Sequence, residues 1–130
     1  MRIRHFFQVL AATCTFFVAA HAGAAAVLLV DANGVLTGAN NVSVDGTLYN
    51  VSFGDGSCNS LFNNCAASSF AFSTSAAALK ASQALLDQVL VDGPSGKFDT
   101  VTDKIKGCTY SDYCIVFTPY STDRRLAYWR

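Results

Sequence analysis

The chain has 130 residues, nine of them basic, nine acidic and two histidine, for a formal charge of zero. So even a balance, with no basic run, excludes the electrostatic footprint of a nucleic-acid-binding protein, and the length suits one small domain. All nine acidic residues are Asp and none is Glu; Asp favours turns and caps over helix interiors, so a loop-rich domain with little helix is expected.

The first residues, MRIRHFFQVLAATCTFFVAAHAGAAA, read as an export leader. Arg2 and Arg4 give a positive start, Phe6 to Ala20 are mostly apolar, and Ala20-His21-Ala22 and Ala22-Gly23-Ala24 fit the small-x-small rule for cleavage. Residues 1–24 are therefore expected to be a signal peptide, cut somewhere after Ala22 to Ala26. Gln8, Thr13, Thr15 and His21 interrupt the run, and a spanning helix wants about 20 predominantly apolar residues. No stable membrane insertion is expected after cleavage. Cys14 is a poor lipidation site, because Ala11-Ala12-Thr13 is a weak approach to it.

Cutting after Ala24 takes 24 of the 130 residues and leaves 106. Both histidines, His5 and His21, leave with the leader, as do two of the nine basic residues, so the mature charge is −2. Of five cysteines four remain: Cys58, Cys65, Cys108 and Cys114. An even number in a short exported chain points to a disulfide framework. Three connectivities are open. The local pairs Cys58–Cys65 and Cys108–Cys114 are favoured because short loops close at low entropic cost. A zinc site would want two to four residues between ligands and usually some histidine; here six and five residues intervene.

Val27 to Val30 predicts a first strand, ended by the turn signal Asp31-Ala32-Asn33-Gly34. The clearest pattern follows. Asp45-Gly46 lies between two alternating runs, the mark of a two-residue hairpin. Pairing Val44 with Thr47 and Val42 with Tyr49 puts Val42, Val44, Tyr49, Val51 and Phe53 on one face. Asn41, Ser43, Asn50 and Ser52 fall on the other, with Leu48 the exception. Gly54-Asp55-Gly56-Ser57 ends the strand. The Cys58–Cys65 loop would pin that end, with Leu61 and Phe62 turned back toward the sheet. Phe70-Ala71-Phe72 is a candidate short strand.

Thr74 to Leu90 predicts the one substantial helix, with Leu79, Leu85, Leu86, Val89 and Leu90 joining Ala78 and Ser82 in a buried stripe. Ser73, Thr74 or Ser75 supplies its N-cap, and Asp92-Gly93-Pro94 stops it. Gly93 to Gly96 reads as loop, and Phe98 to Lys106 as loop or a short turn. Tyr113 to Thr118 is rich in β-formers and predicts a last strand. The expected fold class is α+β: a small antiparallel sheet with the Asp45-Gly46 hairpin and one amphipathic helix on a face. A single domain over 25–120 and a polar, basic tail over 121–130 complete the division.

No catalytic constellation stands out. Nucleophilic catalysis of the Ser-His-Asp or Cys-His kind needs a base near neutrality, and the mature chain has no histidine. Gly93-Pro94-Ser95-Gly96-Lys97 lacks the glycine spacing of a phosphate loop, and Phe98 stands where Ser or Thr would hold magnesium. Asp99 and Asp103, with Asp92 nearby, are the only carboxylate grouping for hydrolytic chemistry. Asp31 to Gly34 and Asp55 to Ser57 do not match a calcium loop, which ends in Glu. No metal and no cofactor are expected. Asn41-Val42-Ser43 and Asn50-Val51-Ser52 fit the short glycosylation acceptor pattern. Tyr110, Tyr113 and Tyr120 surround the second cysteine pair and are the candidate glycan contacts.

Three blocks, VSVDGTLYNVSFGDGSC, ALLDQVLVDGPSGKFD and GCTYSDYCIVFTPY, together resemble a group of small exported proteobacterial proteins that usually end in a PEP-CTERM sorting signal. The resemblance runs over nearly the whole mature chain to Tyr120. It implies export and association with exopolysaccharide or the cell surface, and it carries over no catalytic or binding residue. In place of the Pro-Glu-Pro motif, apolar helix and arginine cluster of such proteins, this chain continues as STDRRLAYWR. The expected function is that of a secreted or periplasmic structural or interaction protein of the envelope or extracellular matrix, without catalytic activity. Its expected partners are extracellular polysaccharide or other envelope proteins. A glycan-binding module is the alternative and an Asp-based hydrolase the third reading.

Overall fold

The computed structural model describes residues 24–121 and the backbone of residues 126–129; the leader, up to residue 23, and Cys14 within it lie outside the described residues. The fold is α+β. Three antiparallel strands, β1 (Val27–Val30), β2 (Leu36–Val44) and β3 (Thr47–Ser52), form a sheet in the order β1-β2-β3. The β1–β2 turn is set by Asp31, whose carboxylate accepts the N–H groups of Asn33 and Val35 at 2.8 and 2.9 Å. At the β2–β3 turn Asp45 and Gly46 both have positive φ, 49° and 81°, as a right-twisting two-residue hairpin requires. The expected register holds, with Val44 opposite Thr47 and Val42 opposite Tyr49. Val42, Val44 and Phe53 are buried, while Leu48 faces out.

Two bulges in β2 go beyond the sequence reading. Against β1 the register shifts at Leu29/Val30, and against β3 it shifts between Ala39 and Val42, where Asn40 and Asn41 together face Asn50. Asn41 takes a φ of 61°, and the Asn50 side-chain oxygen accepts its N–H. Each bulge inserts one residue, so Leu36, Ala39 and Val42 step by three and still share the buried face. Gly38 sits between the bulges, so close to Val51 that a Cβ would strike the Val51 carbonyl oxygen.

After β3 a short helix, α1 (Cys58–Leu61), is capped by Ser57. The chain then passes a 3-10 turn at Ala67–Ser69. The candidate strand at Phe70 to Phe72 does not form. These aromatics act as anchors on a loop instead: Phe70 meets Phe62 edge-on at 5.5 Å, and Phe72 lies on Tyr49 at 5.2 Å. Phe62 is half-buried, whereas Leu61 is 46% exposed, with its side chain beside Gly54 and Gly56 just past β3.

The main helix, α2 (Ser75–Gln88), is shorter than the Thr74–Leu90 expectation, and Thr74 caps it by accepting the Ala77 N–H. Its buried stripe is Ala78, Ala81, Ser82, Ala84 and Leu85, continued by Val89 and Leu90. Leu79 is 40% exposed, which corrects its place in the stripe. Small side chains at 78, 81 and 82 bring the helix close to the sheet, and at that rotation Leu79 falls on the rim. Gln88 ends the helix with a two-point contact to the sheet. Its side-chain NH2 donates to the Ser43 carbonyl at 2.8 Å and its oxygen accepts the Ser43 N–H at 2.9 Å.

Beyond the helix, the expected loop at 93–96 is the tip of a two-residue ribbon between β4 (Asp92–Gly93) and β5 (Gly96–Lys97). It delivers Phe98 into the core, almost wholly buried. After a 3-10 turn at Thr102–Lys104, Ile105 bridges to Leu36 in parallel and Lys106 donates to the Leu36 carbonyl. The last strand expected over 113–118 is β6 (Val116–Pro119). It pairs with β7 (Leu126–Trp129), a strand inside what reads in sequence as a tail. The helix packs on β2 and on the β6–β7 pair, and a buried 2.8 Å hydrogen bond joins Ser82 to Thr118.

Candidate functional site

Both local cysteine pairs are disulfides. Cys58 and Cys65 have Cα atoms 5.0 Å apart, and Cys108 and Cys114 are 5.7 Å apart. The second cystine closes a loop whose conformation is fixed from two sides. Thr102 donates its hydroxyl to the Tyr110 carbonyl at 2.7 Å and its N–H to the Ser111 carbonyl. At the loop's start Gly107, with φ of 93°, runs against the backbone of Gly54 and Asp55.

On this loop Tyr110 and Tyr113 stack nearly in parallel, with ring centres 4.9 Å apart and planes 12° apart. They remain 57% and 55% exposed. Tyr120 does not join them: it follows the far end of β6 and is half-buried. Of the three candidate glycan contacts the fold therefore assembles two.

Two open grooves flank the segment Cys114–Val116. The first, about 550 Å³, has a floor of Leu85, Leu86, Leu90, Phe98, Ile105 and Val116, and polar groups from Asp99, Thr102, Asp112 and Tyr113. The second, about 540 Å³, lies between the two cystine loops. Cys58, Cys108 and Cys114 line it, together with the exposed apolar side chains of Leu61, Ile115 and Phe117. Volumes of this order suit a small ligand or a few side chains of a partner. Sequence reasoning missed both grooves, because each is assembled from separate segments of the chain with no local signature.

The carboxylates considered for hydrolysis part company. Asp92 is a structural clamp: one oxygen accepts the N–H groups of Asp99 and Thr100 at 3.0 and 3.1 Å, and the other accepts the Thr100 hydroxyl at 2.7 Å. The Thr100 hydroxyl above all, then these N–H groups and the nearby Lys97 charge, hold its pKa below the ordinary carboxylate value, outweighing desolvation. A group so lowered is a poor proton donor near neutrality. Asp99 opens onto the first groove with Asp112, while Asp103 sits exposed in the 3-10 turn outside that groove. Among the described residues no three His, Cys, Asp or Glu side chains come together as a metal would require, and no helix is long and apolar enough to cross a membrane. Comparison with protein-family models, with curated proteins and with solved structures finds no match to this chain.

Proposed function

We propose that the chain is a small exported structural or interaction protein of the cell envelope or extracellular matrix, working by binding and not by catalysis. One observation carries this reading: both cystines border a single groove, and exposed Leu61, Ile115 and Phe117 gather around it. Apolar side chains collected on a braced surface mark partner contact, and the cystines hold that surface in shape before a partner arrives. The leader-like first residues, the disulfides and the resemblance to PEP-CTERM-bearing proteins support an oxidising, extracytoplasmic location. The test is a photo-crosslinking residue placed at Ile115 in the producing cell, with one at Lys80, which lines neither groove, as control. The expected result is a discrete envelope or matrix component joined at 115 and not at 80. Equal labelling at both positions refutes the reading, as does specific substrate turnover abolished by Asp99→Asn or Asp103→Asn.

A second reading, binding of exopolysaccharide, is favoured by the exposed Tyr110–Tyr113 stack, since aromatic faces suit sugar rings. Retention on the polysaccharide should fall with Tyr110→Ala and with Tyr113→Ala and stay unchanged with Tyr120→Ala. Retention unaffected by all three changes removes it.

A further inference from the structure

We infer that the first groove is a binding site for a small organic ammonium compound, one with an apolar or aromatic body and a cationic head. The site shares Ile105, Cys114, Ile115 and Val116 with the partner-binding groove on the other side of the Cys114–Val116 segment, but does not rest on that reading. Its floor of Leu86, Leu90, Phe98 and Ile105 offers only apolar contact, and its volume of about 550 Å³ suits a compact molecule. Among the described residues that line it, the charged groups are all of one sign, and Ser82 and Thr102 add neutral hydroxyls. Asp99 and Asp112 are carboxylates, Tyr113 brings an aromatic side chain to the lining, and no Lys or Arg is among the described residues that line the groove. Carboxylate together with an aromatic face is the chemistry that attracts a cation, whereas an anion would meet two like charges there.

The backbone that carries these groups is also held in place beforehand. The Asp99 N–H is bonded to Asp92, Tyr113 is backed by Tyr110, and Asp112 and Tyr113 lie inside the Cys108–Cys114 loop. A rim fixed in this way does not have to be ordered when the ligand binds.

The experiment is an amide chemical-shift titration of the oxidised protein with phenethylammonium, and in parallel with neutral phenethyl alcohol and anionic phenylacetate. The cation should give saturable shifts at Leu90, Phe98 and Tyr113, with the alcohol at least about tenfold weaker and the anion without effect. The double change Asp99→Asn/Asp112→Asn should weaken the cation about tenfold or more while leaving the rest of the spectrum in place. Alcohol and cation binding equally well, shifts confined to other residues, no saturation, or undiminished binding by the double variant would each overturn the assignment.

Discussion

The contact between Gln88 and Ser43 offers the sharpest test of how helix and sheet are joined. Asn40 is the last residue of β2 that β1 covers. Three residues further on, the Gln88 carboxamide donates to and accepts from the Ser43 backbone as a neighbouring strand would. Gln88→Leu keeps the bulk and removes both hydrogen bonds. At a net of about 1 kcal/mol each, the loss is about 2 kcal/mol. For a domain near this size that lowers the melting temperature by roughly 8–15 °C. Gln88→Glu is more discriminating. One carboxylate oxygen still accepts the Ser43 N–H, but the other faces the Ser43 carbonyl and repels it. That repulsion raises the folded-state pKa of the new Glu above its ordinary value of about 4.3. The variant should therefore show its full deficit at neutral pH and approach the parent protein as pH falls through the raised pKa, where the protonated acid again donates. Urea unfolding followed by far-UV circular dichroism, with the cystines intact and parent and variant at matched pH, reads both effects. A Gln88→Leu loss under about 0.5 kcal/mol, or a Gln88→Glu deficit that does not change with pH, would refute the account.

The Asp92 clamp predicts an acid-sensitive loop. Because its folded pKa is lowered, its contribution is complete above the ordinary Asp value of about 3.9 and lost as pH falls through the lowered one. The Asp99 and Thr100 amide protons should shift and lose exchange protection over that window, and Asp92→Asn should abolish the transition. Gly38→Ala forces a methyl against the main chain of Val51 and Ser52 and should cost about 2–3 kcal/mol; Gly93→Ala, which meets nothing within 4 Å, should stay within about 0.5 kcal/mol in the same urea titration. Removing the first cystine by Cys58→Ser/Cys65→Ser frees a loop of sequence separation 7 and should cost about 2.5 kcal/mol on the chain-entropy account, measured as the urea midpoint against the oxidised parent.

The legible parts of this fold are those dictated by the local backbone. Asp45-Gly46 names its own turn because both positions need positive φ, and that single constraint fixes the hairpin register from Val42 to Tyr49. The helix cap is legible to within three residues, Ser73 to Ser75, of which Thr74 serves. The start of β2 is not legible, since its buried residues Leu36, Ala39 and Val42 recur every third position, a spacing that belongs to neither a flat strand nor a helix. Only the two bulges make it a strand, and they depend on partners in β1 and β3. Phe70 and Phe72 look like strand residues because aromatics favour strands, yet ring contacts with Phe62 and Tyr49 decide their place. Leu79 shows the same limit on the helix, where closeness of approach, set by alanines, outweighs the pull of a large side chain. Of the candidate site, the cystines and the Tyr110–Tyr113 cluster are visible in sequence; the grooves are not, because the floor of the first comes from α2, the Phe98 segment and β6 together, and the second joins the stretch after β3 to the second cystine loop and β6.

The two cystines also bear on how the chain reaches this state. Each joins cysteines 7 or 6 positions apart, whereas the nearest wrong pairing, Cys65 with Cys108, spans 43. Contact probability falls roughly as the three-halves power of loop length, so each correct partner meets its mate on the order of ten times more often than that rival does. Oxidation can then proceed in chain order, the first loop locking before the second pair is within reach, and the correct bonds form by proximity with little reshuffling.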